Sequence, residues 1–258
     1  MRTFVMGDIH GSFKALQQCF ERSGFDLHQD KLIQLGDIAD GQNEVYECVE
    51  LLLSLNHLIA VKGNHDDWFL EFIDKGAQPQ QWLQGGAGTA ESYMKAAGKR
   101  FRIKLTKTGY KIALKQSDIP LSHQQFFQKQ LLYFIDEGNN CFVHAGFDRF
   151  SPFKGQSPER YYWDRDLWAS ALLYEMLKLY DPQAPPFHMI TPFNEIFIGH
   201  TSTTNWSTDK PMNAVNIHNL DTGAGHDGNL TIMDIHSREF WQSDPIGTLY
   251  TEKRIFTW

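Results

Sequence analysis

The stretch from Thr3 to Gly11 reads TFVMGDIHG, and its pattern decides the fold: a short apolar run, a glycine, and then side chains that can bind metal or carry a proton. The pattern returns as KLIQLGDIAD from Lys31 to Asp40 and as LIAVKGNHD from Leu58 to Asp66. The segments between them, residues 12–23 and 43–55, have apolar residues at helical spacing. This strand–loop–helix rhythm predicts βαβ units and a largely parallel sheet in the N-terminal half of the chain.

A potential ligand follows each of the three apolar runs directly after a glycine. These ligands are Asp8, Asp37 and Asn64. In open α/β sheets, ligands bind in the crevice at the carboxyl ends of the strands. We therefore expect the three side chains to converge on one edge of the sheet.

The middle of the chain has a weaker pattern. Residues 68–97 read as helical with breaks at Gly76 and at Gln84–Gly86, and residues 99–130 predict either a cap or a pair of helices. No linker, repeat or low-complexity tract interrupts the sequence. We expect a single domain over residues 1–258 that can carry a helical cap around residues 68–130.

The C-terminal half predicts further strands. Residues 131–143 resemble a β-hairpin, and residues 159–180 resemble one long helix that is ended by prolines. After residue 193 the pattern changes to short strands that we predict to form a second, mainly antiparallel sheet: Ile196–Ile198, Ala214–Ile217, Leu230–Ile235 and Glu239–Trp241.

Composition excludes several classes of protein. Of the 258 residues, 41% are apolar and 14% aromatic, so the chain can bury a core without metals or disulfides as cross-links. A net charge of −7 argues against general nucleic-acid binding, which needs a basic surface. The three cysteines lack metal or redox spacing, and neither a signal peptide nor an apolar run of ~18 residues is visible. We expect a cytoplasmic protein without membrane attachment; a monomer is the default, although the sequence does not determine the oligomeric state.

Polar residues after the apolar runs form one chemical set of carboxylates, imidazoles and an amide. Its members are Asp8, His10, Asp37, Asp40, Asn64, His65, His144 and His200. Such oxygen and nitrogen donors, with no cysteine among them, suit Mn²⁺, Fe or catalytic Zn²⁺. Two such ions would lower the pKa of a bridging water and clamp the attacking and leaving oxygens of a phosphate ester. A histidine outside the metal site, His65, could protonate the leaving group if Asp40 orients it.

At these residues the sequence resembles the phosphoprotein-phosphatase branch of the calcineurin-like metallophosphoesterases, and is similar to bacterial and phage serine/threonine phosphatases. The motifs that carry the resemblance are Gly7–Gly11, Gly36–Asp40, Gly63–Asp66, His144–Gly146 and Gly199–Thr201, with Trp82–Gly86, Trp163–Arg165 and Asp221–Ala224 as weaker matches. They span residues 4–235. The resemblance implies an α/β fold of two packed mixed β-sheets flanked by helices.

The resemblance also implies a role for each motif residue. Asp8 and His10 would bind the first metal ion, and Asp37 would bridge the two ions. Asn64, His144 and His200 would bind the second ion. His65 would be the general acid, oriented by Asp40, and Arg165 would hold a phosphate oxygen with its planar guanidinium.

One position departs from the family pattern. The resemblance leads us to expect an arginine after Asp40 that also binds the phosphate, but Gly41 stands there. Lys62 is nearby in sequence without any sign that it faces the site. Arg165 also has a simpler interpretation, in which it pairs with a neighbouring aspartate on the surface of an amphipathic helix.

We therefore expect a dinuclear metal-dependent phosphatase acting on phosphate monoesters: phosphoserine or phosphothreonine proteins, phosphotyrosine proteins, or small phosphoesters. A dinucleoside polyphosphate hydrolase is the first alternative, because the missing arginine could suit a bulkier phosphate. A phosphodiesterase is less favoured, since the second histidine of a Gly-His-x-His motif is replaced by Ser202. A non-enzymatic binding module is the least favoured, because every ligand position is filled.

Overall fold

The computed structural model describes residues 1–107 and 109–251. The strands in this part of the chain are β1 (Thr3–Met6), β2 (Lys31–Gln34), β3 (Leu58–Ala60), β4 (Ile103–Thr106), β5 (Gly109–Ile112), β6 (Tyr133–Ile135), β7 (Cys141–Val143), β8 (Ile196–Ile198), β9 (Met212–Ala214), β10 (Ile217–Asn219), β11 (Thr231–Asp234) and β12 (Phe240–Gln242). The α-helices are α1 (Phe13–Ser23), α2 (Val45–Leu53), α3 (Asn64–Lys75), α4 (Gly86–Ala96), α5 (Leu121–Lys129), α6 (Pro158–Trp163), α7 (Asp166–Tyr180) and α8 (Ile246–Leu249).

The first sheet has the order β12-β11-β1-β2-β3. Strands β1, β2 and β3 are parallel, which confirms the predicted βαβ units. The prediction was wrong about β11 and β12: they belong to this sheet, where β11 pairs antiparallel with β1. Since β11 is buried along its whole length, it has no polar face from which the sequence could reveal its neighbours.

The second sheet has the order β6-β7-β8-β10-β9. Its edges are antiparallel, but β7, β8 and β10 are parallel, so the sheet is mixed and the prediction of a mainly antiparallel sheet was wrong. The predicted hairpin of β6 and β7 is confirmed. The single strand expected at Ala214–Ile217 is instead a tight turn between β9 and β10, where Val215 has a φ of +58°.

The two sheets pack face to face through one layer of apolar side chains. Val5 and Ile33 of the first sheet share this layer with Phe142 and Phe197 of the second. The rings of Phe142 and Phe197 are stacked with centroids 4.9 Å apart. Two packed mixed sheets flanked by helices are therefore the observed fold, as expected.

Helices cover the outer face of each sheet. Helices α1 to α5 enclose a core with Phe4 and Met6 on the first sheet, and α6 and α7 pack on the second. The long helix expected at 159–180 is divided, because Asp164 leaves the helical conformation and its Oδ1 accepts the Leu167 amide at 2.8 Å, which starts α7. The division carries Arg165 to the cavity described below.

Residues 64–130 combine helices with a small hairpin. The predicted breaks are confirmed, since α3 ends at Gly76 and α4 begins after Gly85. Residues 99–130 contain the β4–β5 hairpin and α5, where the sequence predicted a cap or two helices. Phe69, Trp82 and Phe127 bind these elements to the core of the first sheet.

Two further expectations concern the thiols and membranes. Cys19, Cys48 and Cys141 are buried and form no disulfide. Within the described ranges, no helix has the length and apolar character needed to cross a bilayer.

Candidate active site

A cavity of about 270 Å³ lies where the carboxyl ends of the strands of both sheets meet. Seven of the nine residues predicted for the site line it: Asp8, His10, Asp37, Asn64, His65, Arg165 and His200. The other two lie directly behind it, His144 against Asp37 and Asp40 against His65. The expected convergence of strand ends is therefore observed.

Asp37 occupies the centre of the cavity floor. Its Oδ2 lies 3.7 Å from His10 Nε2 and 3.4 Å from His144 Nε2. His144 Nε2 also lies 3.2 Å from Asn64 Oδ1. Asp37 thus faces ligand-type atoms from both sheets.

Two groups of side chains have the geometry to hold a metal ion. One consists of His10, Asp37 and His65, and the other of Asp37, His144 and His200. In each group the possible ligand atoms lie within 4.8 Å of one another. Asp37 is common to both, which is the geometry that an anion bridging two ions requires. The Asp8 carboxylate lies beside these groups and accepts the His200 backbone amide at 3.1 Å.

The protonation states of Asp37 and His200 suit cation binding. Burial opposes ionisation of Asp37, but His144, His65 and His10 hold the pKa of that carboxyl well below its usual range. Burial, together with His144 and Arg165, holds the pKa of His200 well below the usual value, so its imidazole is neutral. An ionised carboxylate beside a neutral imidazole is a metal-binding pair.

Within the part of the chain that the structure describes, His144 and His200 each have a ring nitrogen that is free of ordinary protein hydrogen bonding or directed at the other ligand-type groups. His144 Nδ1 donates to the Leu35 carbonyl oxygen at 2.7 Å, which directs Nε2 at Asp37. His200 Nε2 is buried and has no hydrogen-bond partner among the described residues. His144 is therefore oriented as metal-ligating histidines are, with one nitrogen bound to the protein and the other available to an ion. The residues therefore fit a divalent metal centre.

His65 is held by a separate set of contacts. Its Nδ1 lies 2.8 Å from Asp40 Oδ2, while Asp40 Oδ1 accepts hydrogen bonds from Trp82 Nε1 and Thr89 Oγ1, both at 2.7 Å. Burial raises the pKa of Asp40, but these three donors favour its ionised form. Burial lowers the pKa of His65, yet Asp37 and Asp40 raise it above the usual value. Because Nδ1 is bound to Asp40, Nε2 is the nitrogen that can exchange a proton in the cavity.

Several of these residues have strained backbones. His10, Asp37, Asp40 and His200 all have a positive φ, between +49° and +69°. Left-handed conformations are unfavourable for side chains other than glycine and concentrate at functional sites. The loops after the strands are bent so that the side chains face the cavity.

Buried Asp66 holds the Asp37 loop in place. Its Oδ1 accepts the amides of Ile38 at 2.9 Å and Ala39 at 3.0 Å, and its Oδ2 accepts Gln130 Nε2 at 2.8 Å. Gly63 packs so closely on this loop that a β-carbon would collide with Asp37 Oδ1. The glycine before Asn64 is thus required by the approach of two strand ends.

Comparison with known proteins is consistent with this geometry. A family model of calcineurin-like phosphoesterases matches residues 1–244. The chain belongs to the calcineurin-like phosphoesterase family. As a member, it is a metal-dependent phosphoric ester hydrolase.

Relatives of this phosphoesterase act on different phosphates. Serine/threonine-protein phosphatase 1 of Salmonella typhimurium is 23% identical over 237 residues, which cover 90% of this chain and 91% of that protein. The symmetrical bis(5'-nucleosyl)-tetraphosphatase of Dechloromonas aromatica is 34% identical over 79 residues, 30% of this chain and 29% of that protein. The similarity to the phosphatase is therefore global, and the similarity to the tetraphosphatase is local.

Solved structures share the fold of this phosphoesterase. The structure of a candidate diadenosine tetraphosphatase superposes with a TM-score of 0.63, covering 93% of this chain and 92% of that one at 16% identity. A metallophosphoesterase from Sphaerobacter thermophilus superposes with a TM-score of 0.53, covering 95% and 89% at 18% identity. At such identities the likeness concerns the fold alone.

The sequence raised three positions in connection with phosphate binding: Arg165, Lys62 and Gly41. Arg165 lines the cavity and donates to Thr201 Oγ1 at 3.0 Å, so it is not the surface ion pair that its helix also permitted. Lys62 Nζ lies 3.5 Å from Asp67 Oδ1 and is not part of the cavity lining. Gly41 has a φ of +84°, and a β-carbon there would lie 2.8 Å from the His10 carbonyl oxygen. The turn after Asp40 is therefore built for glycine.

The structure adds residues for which the sequence analysis assigned no role. Trp82 and Thr89 support Asp40, and Asp66 supports the Asp37 loop. Trp68 and Asp221 line the cavity. Trp82 and Asp221 lie in motifs that the resemblance included, whereas Trp68 follows the Asn64 motif as an ordinary apolar helix position. Periodicity assigns Trp68 to the core, and only the tertiary structure brings it beside His65.

Proposed function

We propose that this phosphoesterase hydrolyses phosphate monoesters with two divalent metal ions, Mn²⁺ being the first candidate and Fe or Zn²⁺ the alternatives. Asp8 and His10 bind the first ion, and Asp37 bridges both. The second ion is bound by Asn64, His144 and His200. The observation that carries the proposal is that one buried, ionised carboxylate, Asp37, lies within reach of His10 on one side and of His144 and His200 on the other.

When bound, the two ions supply a nucleophile at neutral pH and neutralise charge on the phosphate. The protein's own groups do the rest. Arg165 holds a phosphate oxygen, since its guanidinium lines the cavity beside His200 and Thr201. His65 donates a proton from Nε2 to the leaving oxygen, and Asp40 keeps the imidazole in the orientation that this transfer needs.

The substrates we propose are phosphoserine, phosphothreonine or phosphotyrosine in proteins, or small phosphoesters. The global similarity to a serine/threonine-protein phosphatase supports this choice. A dinucleoside polyphosphate is the second candidate, supported by the local 34% identity to a tetraphosphatase. Glycine at position 41 also favours a substrate that does not rely on a second arginine. We further propose that the enzyme works as a cytoplasmic monomer of one domain.

A hydrolysis panel with added Mn²⁺ tests the proposal. The substrates are an aryl phosphate, an alkyl phosphate, phosphoserine and phosphotyrosine peptides, a phosphodiester and a dinucleoside tetraphosphate. We expect turnover of the monoesters and little of the diester. Exclusive cleavage of the dinucleoside tetraphosphate would replace our first candidate with the second.

The variant His65→Asn tests the proton donor. It should keep both metal ions and lose about 10²- to 10⁴-fold in kcat on alkyl phosphates, the usual contribution of a general acid. The loss should shrink on nitrophenyl phosphate, whose leaving group needs no proton. His28→Gln, an exposed histidine change, is the control. Equal losses on aryl and alkyl esters would contradict the assignment of His65.

A further inference from the structure

Two tryptophans, Trp68 and Trp163, form an apolar wall along one side of the cavity. The Trp68 ring lies 4.4 Å from the His65 ring, and the Trp163 ring lies 5.5 Å from the His200 ring, measured between centroids. The two indoles contact each other at 5.6 Å. An otherwise polar cavity of metal-ligand and hydrogen-bonding groups thus has one continuous aromatic side, which begins at the proposed proton donor.

The wall is held in place by the residues next to it in sequence. Trp68 is on the second turn of α3, and Trp163 is the last residue of α6. Their neighbours Asp67 and Tyr162 join the two helices, because the Tyr162 hydroxyl donates to Asp67 Oδ2 at 3.1 Å. The wall is therefore formed before any substrate enters.

The tryptophans differ in exposure. Trp68 is 6% exposed, whereas Trp163 is 42% exposed although it lines the cavity. An exposed apolar side chain beside a reaction centre can be buried by an apolar part of the bound ligand. Indole rings prefer flat aromatic partners, stacked with an offset or edge to face.

The wall lies where the leaving group must go. This step rests on the proposed function, in which His65 protonates the leaving oxygen. Trp68 contacts His65, so a group attached to that oxygen extends along Trp68 toward Trp163. A serine side chain offers the indoles a single methylene group, whereas a phenyl or benzyl group offers them a flat apolar ring.

We propose that Trp68 and Trp163 are specificity-determining residues that select phosphate monoesters of aromatic alcohols, with phosphotyrosine peptides preferred over phosphoserine peptides. The nucleobases of a dinucleoside polyphosphate are separated from the cleaved bond by a ribose and by phosphates, so the wall does not act on them in the same way.

The experiment separates ring recognition from leaving-group reactivity. Benzyl phosphate and cyclohexylmethyl phosphate both release a primary alcohol of similar size, but only the first is flat and aromatic. With Mn²⁺-loaded enzyme we expect kcat/KM to favour benzyl phosphate by roughly three- to tenfold, the range of an aromatic pair. Trp163→Leu and Trp68→Leu should bring this ratio close to one, and Trp163→Phe should retain most of it.

A binding measurement covers the case in which Trp68→Leu folds poorly. Benzylphosphonate and cyclohexylmethylphosphonate cannot be hydrolysed, and their inhibition constants should differ in the same direction in the wild type and in Trp163→Phe. They should converge in Trp163→Leu. Tyr180→Leu, which removes an aromatic ring that is 86% exposed at the end of α7, is the matched control and should change neither ratio.

Two results would overturn the inference in different ways. Hydrolysis of both esters with a ratio that Trp163→Leu leaves unchanged would remove the role of the wall and leave the proposed phosphatase intact. Failure to hydrolyse any monoester, with metal bound, would refute the proposed function and this inference together.

Discussion

Asp37 is the residue through which both halves of the proposed metal centre are connected. Asp37→Asn keeps an oxygen to accept the His65 amide, which Asp37 Oδ1 now accepts at 2.9 Å, but removes the shared negative charge. We expect weaker binding of both ions, seen as fewer than two metal ions per chain by elemental analysis after dialysis. Asp67→Asn, a partly exposed aspartate beside Lys62, should keep two ions. Full metal content in Asp37→Asn would rule out the bridge.

His144 predicts the pH dependence of metal binding. Burial lowers its pKa, but Asp37 and Asp8 raise it more, to about 10 without metal. Below that pH the imidazolium carries a proton on Nε2, because Nδ1 already donates to Leu35. A metal ion must displace this proton, so affinity should rise with pH across the neutral range.

Titration calorimetry in buffers of different ionisation enthalpy measures the protons released. We expect release of about one more proton per chain from the wild type than from His144→Ala, which binds the ion more weakly. His218→Gln is a control, because His218 bonds Glu195 and lies outside the cavity lining. Equal release by the wild type and His144→Ala would contradict the protonation state.

Arg165 is the single arginine among the residues that line the cavity. Since a charge-assisted hydrogen bond contributes about 1.5–3 kcal/mol, Arg165→Ala should lower kcat/KM on monoesters by roughly ten- to hundredfold. Arg22→Ala, which removes an exposed ion pair with Asp244, should leave it unchanged. If Arg165→Ala retained full kcat/KM, the phosphate would be held by other groups.

The converse substitution, Gly41→Arg, does not test phosphate binding in this fold. The sequence suggested that it could restore a missing phosphate contact if Gly41 did not need a positive φ. Its φ is +84°, and the added β-carbon would crowd the backbone of His10, a proposed metal ligand. Loss of activity in Gly41→Arg would report strain in the loop and not substrate preference.

At the scale of helices, a hydrogen-bonded triad of Glu50, Tyr93 and His123 joins α2, α4 and α5, with Tyr93 and His123 buried and Glu50 partly exposed. His123 Nε2 donates to Glu50 Oε1 at 2.6 Å, and the Tyr93 hydroxyl donates to His123 Nδ1 at 2.9 Å. The bond from Tyr93 needs an unprotonated Nδ1 and therefore a neutral imidazole. Burial lowers the pKa of His123 below its usual value, although Glu50 raises it. The unfolded chain therefore takes up this proton at a higher pH than the folded chain does.

This sign gives a stability prediction. Acidification from about pH 7.5 to pH 5.5, through the unfolded His pKa of about 6.5, should lower the part of the free energy of unfolding that His123 contributes. His123→Gln should cost about 1–3 kcal/mol at neutral pH and flatten this dependence, measured by urea unfolding with metal removed. The exposed change His28→Gln should do neither. An unchanged pH slope in His123→Gln would show that other groups cause the acid sensitivity.

At the scale of the whole molecule, the apolar layer between the two sheets supports the strands that position the candidate active site. Phe142 and Phe197 stack in that layer, and their strands β7 and β8 lead directly to His144 and His200. Phe142→Ala should cost about 3–5 kcal/mol, while Phe150→Ala, at a ring that is 61% exposed, should cost under about 1 kcal/mol.

Urea unfolding checks this cost and the number of cooperative units. If the sheets fold as one domain, Phe142→Ala should shift a single transition, with fluorescence and circular dichroism coinciding. Excess Mn²⁺ should restore part of the lost stability by mass action, because the ion binds only the folded chain. Two separate transitions would mean that the two sheets unfold independently.

The sequence by itself determined the parallel strands of the N-terminal half and seven of the residues that line the cavity. Each apolar run ends in a glycine and a polar side chain, and the geometry of parallel strands brings such ends together. The tertiary structure alone decided which sheet β11 and β12 join. Strand β11 is buried on both faces, so its sequence has no polar–apolar alternation from which its partner strands could be predicted. It also decided that Trp82 and Thr89 hold Asp40, and that Trp68 lies beside His65. Those contacts join residues that are distant in sequence. The segments that contain these residues read only as buried helix, so the sequence does not reveal the contacts.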